Sequence, residues 1–415
     1  MEKLIEILGI IEANDNYRRN TLNMIASENI TSPIVSYFYN NGFKHRYACG
    51  RINKRAYAGC RWVDKLEIIT EELVKELFRC KYVNLYPISG VVANLISYKS
   101  VLKKGDRVCV VEPFCGSHYS HHERGMLGIS GMTPIFIPFN LEEVNIDLDK
   151  TEKIIKKNKP SMLILGTSEM LFPAPIKEIR NFFDKIILYD SAHVLGLIAG
   201  RKFQQPLNQG ADMISTSTHK TFFGPQGGMI LTNNQEIYEK TLDKTFDIIS
   251  NHHIHRLPSL AIACLEMLEF GKDYALNVIK NAKALGNYLF QNGMDILGWN
   301  KGFTESHQVI MNVAKLGNNN DIVKKLESAN IITSPCPIPS NFEKETGVRF
   351  GVQEITRMGM KKKDMKFISE AISNLLNNEK SIKETRDEVI SFLKNFETIH
   401  FTFENSVFNE IITYM

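Results

Sequence analysis

Four groups of residues have the types and spacing needed for chemistry on a small anionic substrate. Tyr189-Asp190-Ser191-Ala192-His193 ends an apolar run, which sets a carboxylate and an imidazole just past a buried strand. Thr216-Ser217-Thr218-His219-Lys220 follows another short run and leads into Gly224-Pro225-Gln226-Gly227-Gly228. Hydroxyls, an imidazole and an amine beside a glycine-rich turn are suited to holding a phosphate and presenting a nucleophile. Ser89-Gly90 precedes a helix that begins near Val91, where free backbone N–H groups and the helix dipole attract an anion. Arg349, within Gly347-Val348-Arg349-Phe350-Gly351, offers a fork-shaped cation for a carboxylate.

Singly, each of these residues reads more simply as a helix cap or a solvated strand end. Their order changes the reading. In an open α/β sheet ligands bind beyond the carboxyl ends of the strands. Asp190 precedes Lys220 by about thirty residues, on what should be successive strands. That arrangement suits pyridoxal 5′-phosphate. The lysine would form the Schiff base, and the carboxylate would keep the ring nitrogen protonated so that the ring accepts electrons.

The elements that must position these groups are legible in the hydrophobic pattern. Apolar residues in Leu4–Ile11 recur with a helical period and predict an N-terminal helix or arm. Val63–Leu77 predicts a longer helix. Runs at Arg107–Val111, Thr133–Ile137, Met162–Leu165, Ile186–Tyr189, Met213–Ser215 and Met229–Leu231 predict buried strands. Their alternation with helices implies a mostly parallel sheet, hence an α/β domain. Further on, the pattern predicts a helix over Leu260–Asn292, strands at Val309–Val313 and Val348–Phe350, and helices over Met365–Leu376 and Ser381–Phe396. The expected organisation is an N-terminal arm (1–45), a large α/β domain (46–265) and a smaller C-terminal α+β domain (266–415). The end of the chain, Thr398–Met415, is apolar enough to pack.

Bulk properties exclude several classes. The 415 residues are 43% hydrophobic and carry a net charge of +4, with both signs dispersed. That gives ample core and no basic footprint for nucleic acid. The seven cysteines, scattered and odd in number, fit reduced thiols and lack the spacing of a metal site. No secretory leader and no membrane-length apolar run is visible, so a soluble cytoplasmic protein acting on a small molecule is expected.

The ordered motifs resemble serine hydroxymethyltransferase over roughly Met24 to Gly359. Met24-Ile25-Ala26-Ser27-Glu28-Asn29 with Ser32-Pro33 is similar to that family's N-terminal signature. The match continues through Tyr47-Ala48, Gly50, Lys54-Arg55, Tyr57, Gly59-Cys60 and Val63-Asp64. Ser89-Gly90, Ala93-Asn94, Gly105-Asp106, Asp190, Ala192-His193, Thr218-His219-Lys220, Gly224-Pro225, Gly347 and Arg349 complete it. The resemblance implies a fold-type I pyridoxal-phosphate enzyme, a likeness that assigns Lys220 to the internal aldimine and Asp190 to the pyridine nitrogen. His118 would stack on the ring, while Ser168 and His193 would lie near its phenolic oxygen and the substrate. Ser89, Gly90 and His219 would hold or flank the phosphate. Arg349 would clamp the substrate carboxylate. Tyr47 and Tyr57 would reach the site from a neighbouring subunit, implying a homodimer with shared sites.

Departures from the family pattern bear on the reaction. In the family's Tyr-Ala-Glu-Gly block the Glu acts as an acid and contacts folate, and here Cys49 takes its place at the substrate side. A thiol with a reference pKa near 8.5 is a poor substitute for that carboxyl group. A folate-side tyrosine is replaced by Ala56, and Pro113 and Tyr119 stand at apolar folate-facing positions. The glycine-rich segment expected to reach the phosphate of the other subunit reads His252-His253-Ile254-His255-Arg256, so its cradle is altered, with charge from Arg256 or His255 as a replacement. A folate-independent aldolase or transaldolase acting on a β-hydroxy amino acid is therefore expected, with His118 or His193 as the base at the β-hydroxyl. True hydroxymethyl transfer, racemisation, decarboxylation or an oxidative variant use the same early carbanion, and a non-catalytic scaffold is the alternative from outside enzyme chemistry.

Overall fold

The computed structural model describes residues 1–338, 346–404, 406 and 410. They form two compact units. The larger comprises Asn29–Leu276 with the described residues from Phe401 on, and the smaller comprises Met1–Glu28 with Asn277–His400.

The large unit is built on a seven-stranded sheet. Its strands are β1 (Tyr82–Asn84), β2 (Arg107–Val111), β3 (Thr133–Ile137), β4 (Met162–Leu165), β5 (Ile186–Asp190), β6 (Met213–Ser217) and β7 (Gly228–Thr232). They lie in the order β1-β7-β6-β5-β4-β2-β3. All pairings are parallel except those of β7, which runs antiparallel to both β6 and β1. Every residue of β4, β6 and β7 is buried, as expected where helices cover both faces of a sheet. Four helices bear on the site: α1 (Arg61–Phe78), α2 (Gly90–Val101), α3 (Gln235–Ile248) and α4 (Arg256–Gln291). Tyr98 of α2 packs into the core with Val108, Val110, Ile164, Leu188 and Met213. Of the segment Thr398–Met415, Phe401 and Phe403 pack here, their rings 5.6 and 5.5 Å from those of Tyr274 and Phe270, while residues 405, 407–409 and 411–415 lie outside the described residues.

The small unit carries a four-stranded antiparallel sheet of β8 (Asp295–Ile296), β9 (Gln308–Asn312), β10 (Ser334–Cys336) and β11 (Gly347–Gly351), in the order β8-β9-β11-β10. Helices α5 (Asp364–Leu376) and α6 (Ile382–Leu393) belong to it. So does the N-terminal helix Glu2–Arg19, which is longer than Leu4–Ile11 suggested and has no buried residue. Leu22–Asn23 pairs in parallel with Ile331–Ile332, which ties the N-terminus to the C-terminal half of the chain.

The unit bounds consequently differ from the segments 1–45, 46–265 and 266–415. Residues 1–28 belong with the small unit through that strand pairing, whereas 29–45 belong with the large one. The other boundary falls at Asn277, inside the continuous helix α4, where no break in pattern marks it. Among the described residues no helix is long and apolar enough to cross a membrane.

Candidate active site

Four neighbouring strands of the large sheet, β6, β5, β4 and β2, end on the same side and release the chain into the predicted site residues. Lys220 follows β6, Asp190 closes β5, Ser168 follows β4 and His118 follows β2. The sheet order thus collects groups that lie far apart in sequence.

Asp190 is the electrostatic centre. Its Oδ2 accepts from Asn94 Nδ2 at 2.8 Å and lies 3.2 Å from His121 Nε2, while its Oδ1 accepts from the Ala192 N–H at 3.0 Å. Burial alone would raise its pKa, but His121 and Asn94 outweigh that and hold the carboxyl well below its ordinary range. Asp190 therefore stays ionised across the physiological range. His121 is itself fixed by Tyr98, whose hydroxyl lies 2.5 Å from Nδ1. None of Asn94, Tyr98 and His121 was among the residues predicted for the site. Asn94 and Tyr98, spaced i and i+4 on α2, share one face.

His118 lies close enough to Asp190, His121 and Lys220 to feel their charges. Burial lowers its pKa first of all, so the ring is neutral at pH 7. Its Nδ1 accepts from the Ser120 backbone N–H at 3.1 Å, which puts the imidazole proton on Nε2. With its proton on Nε2, His118 is a hydrogen-bond donor at that nitrogen. His193 is buried, and its backbone oxygen accepts from Thr221 Oγ1 at 2.7 Å. Ser168 is held by its backbone N–H, which donates to Gly116 O at 2.7 Å.

Lys220 is anchored by Asn29, whose Nδ2 donates to the Lys220 carbonyl at 2.7 Å and touches Tyr274 Oη at 3.0 Å. His219 beside it accepts at Nδ1 from the Gly227 N–H at 3.4 Å. Burial, then the nearby Lys220 charge, pushes the His219 pKa down to about 4. The Ser89 hydroxyl caps α2 by accepting from the Val92 N–H at 3.2 Å. The first helical residue, Gly90, packs so closely that an added Cβ would stand 3.3 Å from Ser217. Ser217 Oγ is buried with no hydrogen-bond partner among the described residues.

These residues fit pyridoxal phosphate. An unsatisfied hydroxyl and a capped helix N-terminus make an anion cradle, with Ser89, Gly90, Ser217 and His219 around it. A carboxylate held in its ionised form would supply the counter-charge for a protonated ring nitrogen, and Lys220 on the adjacent strand's loop would serve the carbonyl end.

The altered segment turns inward. Arg256 is wholly buried, and its guanidinium donates to the carbonyls of Leu85, Pro87 and His252, bracing the loop that leads to Ser89. His252 lies 2.7 Å from Glu67, which also meets Arg55 at 2.5 Å and Tyr86 Oη at 3.1 Å. His253 is exposed, and the His255 ring stands 5.0 Å from that of Tyr39.

The remaining predicted residues lie on other elements, Cys49, Tyr47 and Tyr57 on the large unit and Arg349 on the small one. Cys49 is half-buried next to the hairpin Gly50–Arg51/Lys54–Arg55, and its carbonyl accepts from the Ala56 N–H at 2.9 Å. Tyr47 and Tyr57 are each about half exposed, with ring centres 5.8 Å apart. Arg349 lies on β11 of the small unit, buried, with Nη2 3.4 Å from Ser334 Oγ.

Comparison with known proteins agrees with this reading of the cofactor. The family model described as serine hydroxymethyltransferase matches residues 2–372. The serine hydroxymethyltransferase of Staphylothermus marinus is 44% identical over 98% of this chain and 95% of its own length. That of Archaeoglobus fulgidus is 42% identical over 97% and 93%. The crystal structure of L-threonine transaldolase from Pseudomonas fluorescens, in its internal aldimine state, has a TM-score of 0.91 at 27% identity, covering 98% of this chain and 95% of that one. The chain belongs to the serine hydroxymethyltransferase family, with the fold and the pyridoxal-phosphate dependence of fold-type I enzymes.

Proposed function

We propose that this enzyme makes or breaks the Cα–Cβ bond of a β-hydroxy amino acid, in the manner of an aldolase or transaldolase, without a folate. The observation that carries the proposal is Cys49, a thiol where the family has a carboxyl group. Two carboxylates of α1 beside this hairpin are already engaged by its own Arg55. Asp64 Oδ1 accepts from Arg55 Nε at 2.7 Å, and Glu67 serves Arg55, Tyr86 and His252 together. Ala56, in the next strand's turn, removes the folate-side tyrosine as well.

When bound, pyridoxal phosphate supplies an electron sink for the pair released as a bond at Cα breaks. The protein's residues do the rest. Ser89, Gly90, Ser217 and His219 would hold the phosphate, and Asp190 would keep a proton on the ring nitrogen. Lys220 would provide the amine for the carbonyl end and would carry a proton to and from Cα. His118 would face the ring, with its Nε2 proton available to donate. His193 accepts the β-hydroxyl proton, and Arg349 binds the substrate carboxylate as a fork. Tyr47 and Tyr57 complete the site of a neighbouring copy, so the active species is a homodimer.

Transfer of a one-carbon unit between serine and glycine is the second reading, favoured by the names of the archaeal relatives and their identity along almost the whole chain. Purified enzyme given L-threonine or a phenylserine should release glycine and the matching aldehyde at the same rate with and without tetrahydrofolate. Restoring the acid in Cys49→Glu should raise tetrahydrofolate-dependent serine–glycine exchange by about 100-fold, the scale of a positioned acid. Wild-type exchange at rates of ordinary enzymes, about 1 s⁻¹ or more, refutes the folate-independent reading.

A further inference from the structure

We infer that Tyr98 and His121 are a positioning pair for the cofactor: the Tyr98 phenol fixes the tautomer of His121, and His121 in turn presents an N–H to Asp190. The inference rests on the reading that Asp190 faces the cofactor's ring nitrogen.

The geometry leaves one consistent chain of donors. Tyr98 Oη lies 2.5 Å from His121 Nδ1, and His121 Nε2 lies 3.2 Å from Asp190 Oδ2. Tyr98 and His121 are essentially inaccessible to water, and the Asp190 side chain is 11% exposed, so solvent does little to rescue a wrong assignment. Ser120 Oγ lies 2.9 Å from His118 Nδ1 and accepts from Asn94 Nδ2 at 3.0 Å. An ionised Asp190 can only accept, so the His121 nitrogen facing it carries a proton, and the phenol at 2.5 Å is the donor to Nδ1. An imidazole that accepts at Nδ1 bears its proton on Nε2, the nitrogen that faces the carboxylate. Asn94 closes the set from the other side. Its Nδ2 donates to Asp190 Oδ2, and its Oδ1 accepts from Ser215 Oγ at 2.5 Å, so the amide cannot flip without losing both contacts.

Two donors therefore converge on the same oxygen, Oδ2, while Oδ1 takes only the Ala192 N–H. The carboxylate cannot rotate, and its charge is held where it pairs with a ring nitrogen. Were the tautomer reversed, a lone pair of Nε2 would face a carboxylate oxygen at 3.2 Å. That repulsion would favour protonating Asp190 and would weaken its hold on the ring proton. Tyr98 touches neither substrate nor cofactor and acts entirely through His121.

Two measurements test the pair. Neutron diffraction from holoenzyme crystals should show deuterium on His121 Nε2 and on Tyr98 Oη directed at Nδ1; deuterium on His121 Nδ1 with none on Nε2 overturns the proposal without any variant. Tyr98→Phe removes only the hydroxyl. It should bind a full complement of cofactor yet shift the pH midpoint of the cofactor's visible band by about half a unit or more. Its kcat should fall about 3–10-fold with little change in KM, the loss expected for one hydrogen bond acting at a distance. An unchanged midpoint and kcat overturn the pair's role. Asp190→Asn is the control for the reading beneath it. If that variant keeps the wild-type spectrum and rate, Asp190 does not serve the ring nitrogen and the underlying reading fails, whatever Tyr98→Phe does.

Discussion

His122 illustrates how tightly single residues on the loop after β2 are set. Its Nε2 is buried with no partner among the described residues, and its ring meets those of Tyr119 and Phe136 at 5.5 and 6.2 Å. Burial first, then the nearby His121 and His118, lowers its pKa from 6.5 to about 4. The sign follows from linkage. The unfolded chain binds a proton at His122 as pH falls below about 6.5 and the folded chain does not, so stability is complete above that value and declines towards about 4. Urea denaturation at pH 7.5 and pH 5 should show wild type losing stability on acidification, with His122→Phe losing about 1 kcal/mol less over the same interval. Equal pH dependence in the two proteins would assign the loss to other groups. Asp190 and Lys220 were visible in the sequence because each directly follows a run that must be a buried strand. His121, Tyr98 and Asn94 were not, because a histidine inside a histidine-containing turn, or a polar residue within a helix, signals its partner only once the helix is laid on the sheet.

At the level of elements, most of the large sheet was legible and its edge was not. Met162–Leu165 is a run of four apolar residues buried on both faces, the pattern of an inner parallel strand. Tyr82–Asn84 is three residues long and half polar, too little for period or composition to mark, and only its pairing with β7 makes it a strand. The antiparallel course of β7 was equally hidden, since strand direction is set by the connection and not by the strand's own residues. That connection, the turn through Gly224–Gly228, delivers Gly228 against the loop before α2. A Cβ on Gly228 would stand 2.4 Å from Ser89 O and 3.0 Å from Thr216 O, both backbone atoms with no freedom to rotate away. Gly228→Ala should thus displace either β7 or the N-terminus of α2 and spread the phosphate cradle. Cofactor affinity, measured by quenching of protein fluorescence, should fall at least about ten-fold, which corresponds to about 1.4 kcal/mol. Unaltered affinity would mean that the cradle lies elsewhere than Ser89, Gly90 and Ser217.

For the whole molecule, the two half-exposed tyrosines and the N-terminal helix bear on the same question. Leu4, Ile5, Ile7, Leu8, Ile10 and Ile11 are each more than half exposed, an apolar surface of a kind that folded monomers rarely keep. Tyr47 and Tyr57 lie on the large unit with their rings paired and half open to solvent, while the cofactor cluster of the same unit is assembled without them. The proposed homodimer would account for both, since an isologous pair would cover the apolar helix and lend each tyrosine pair to the other copy's site. Such sharing has a consequence that a self-contained site does not. Lys220→Ala and Tyr57→Ala should each be inactive as homodimers, because every site lacks either the amine or the phenol. Mixed and allowed to exchange, half the dimers become hybrids, and in each hybrid one site carries both defects while the other carries neither. About a quarter of all sites should regain wild-type turnover. A mixture that stays inactive, although subunit exchange is confirmed by mass spectrometry, would place Tyr57 and Lys220 of one chain in the same site.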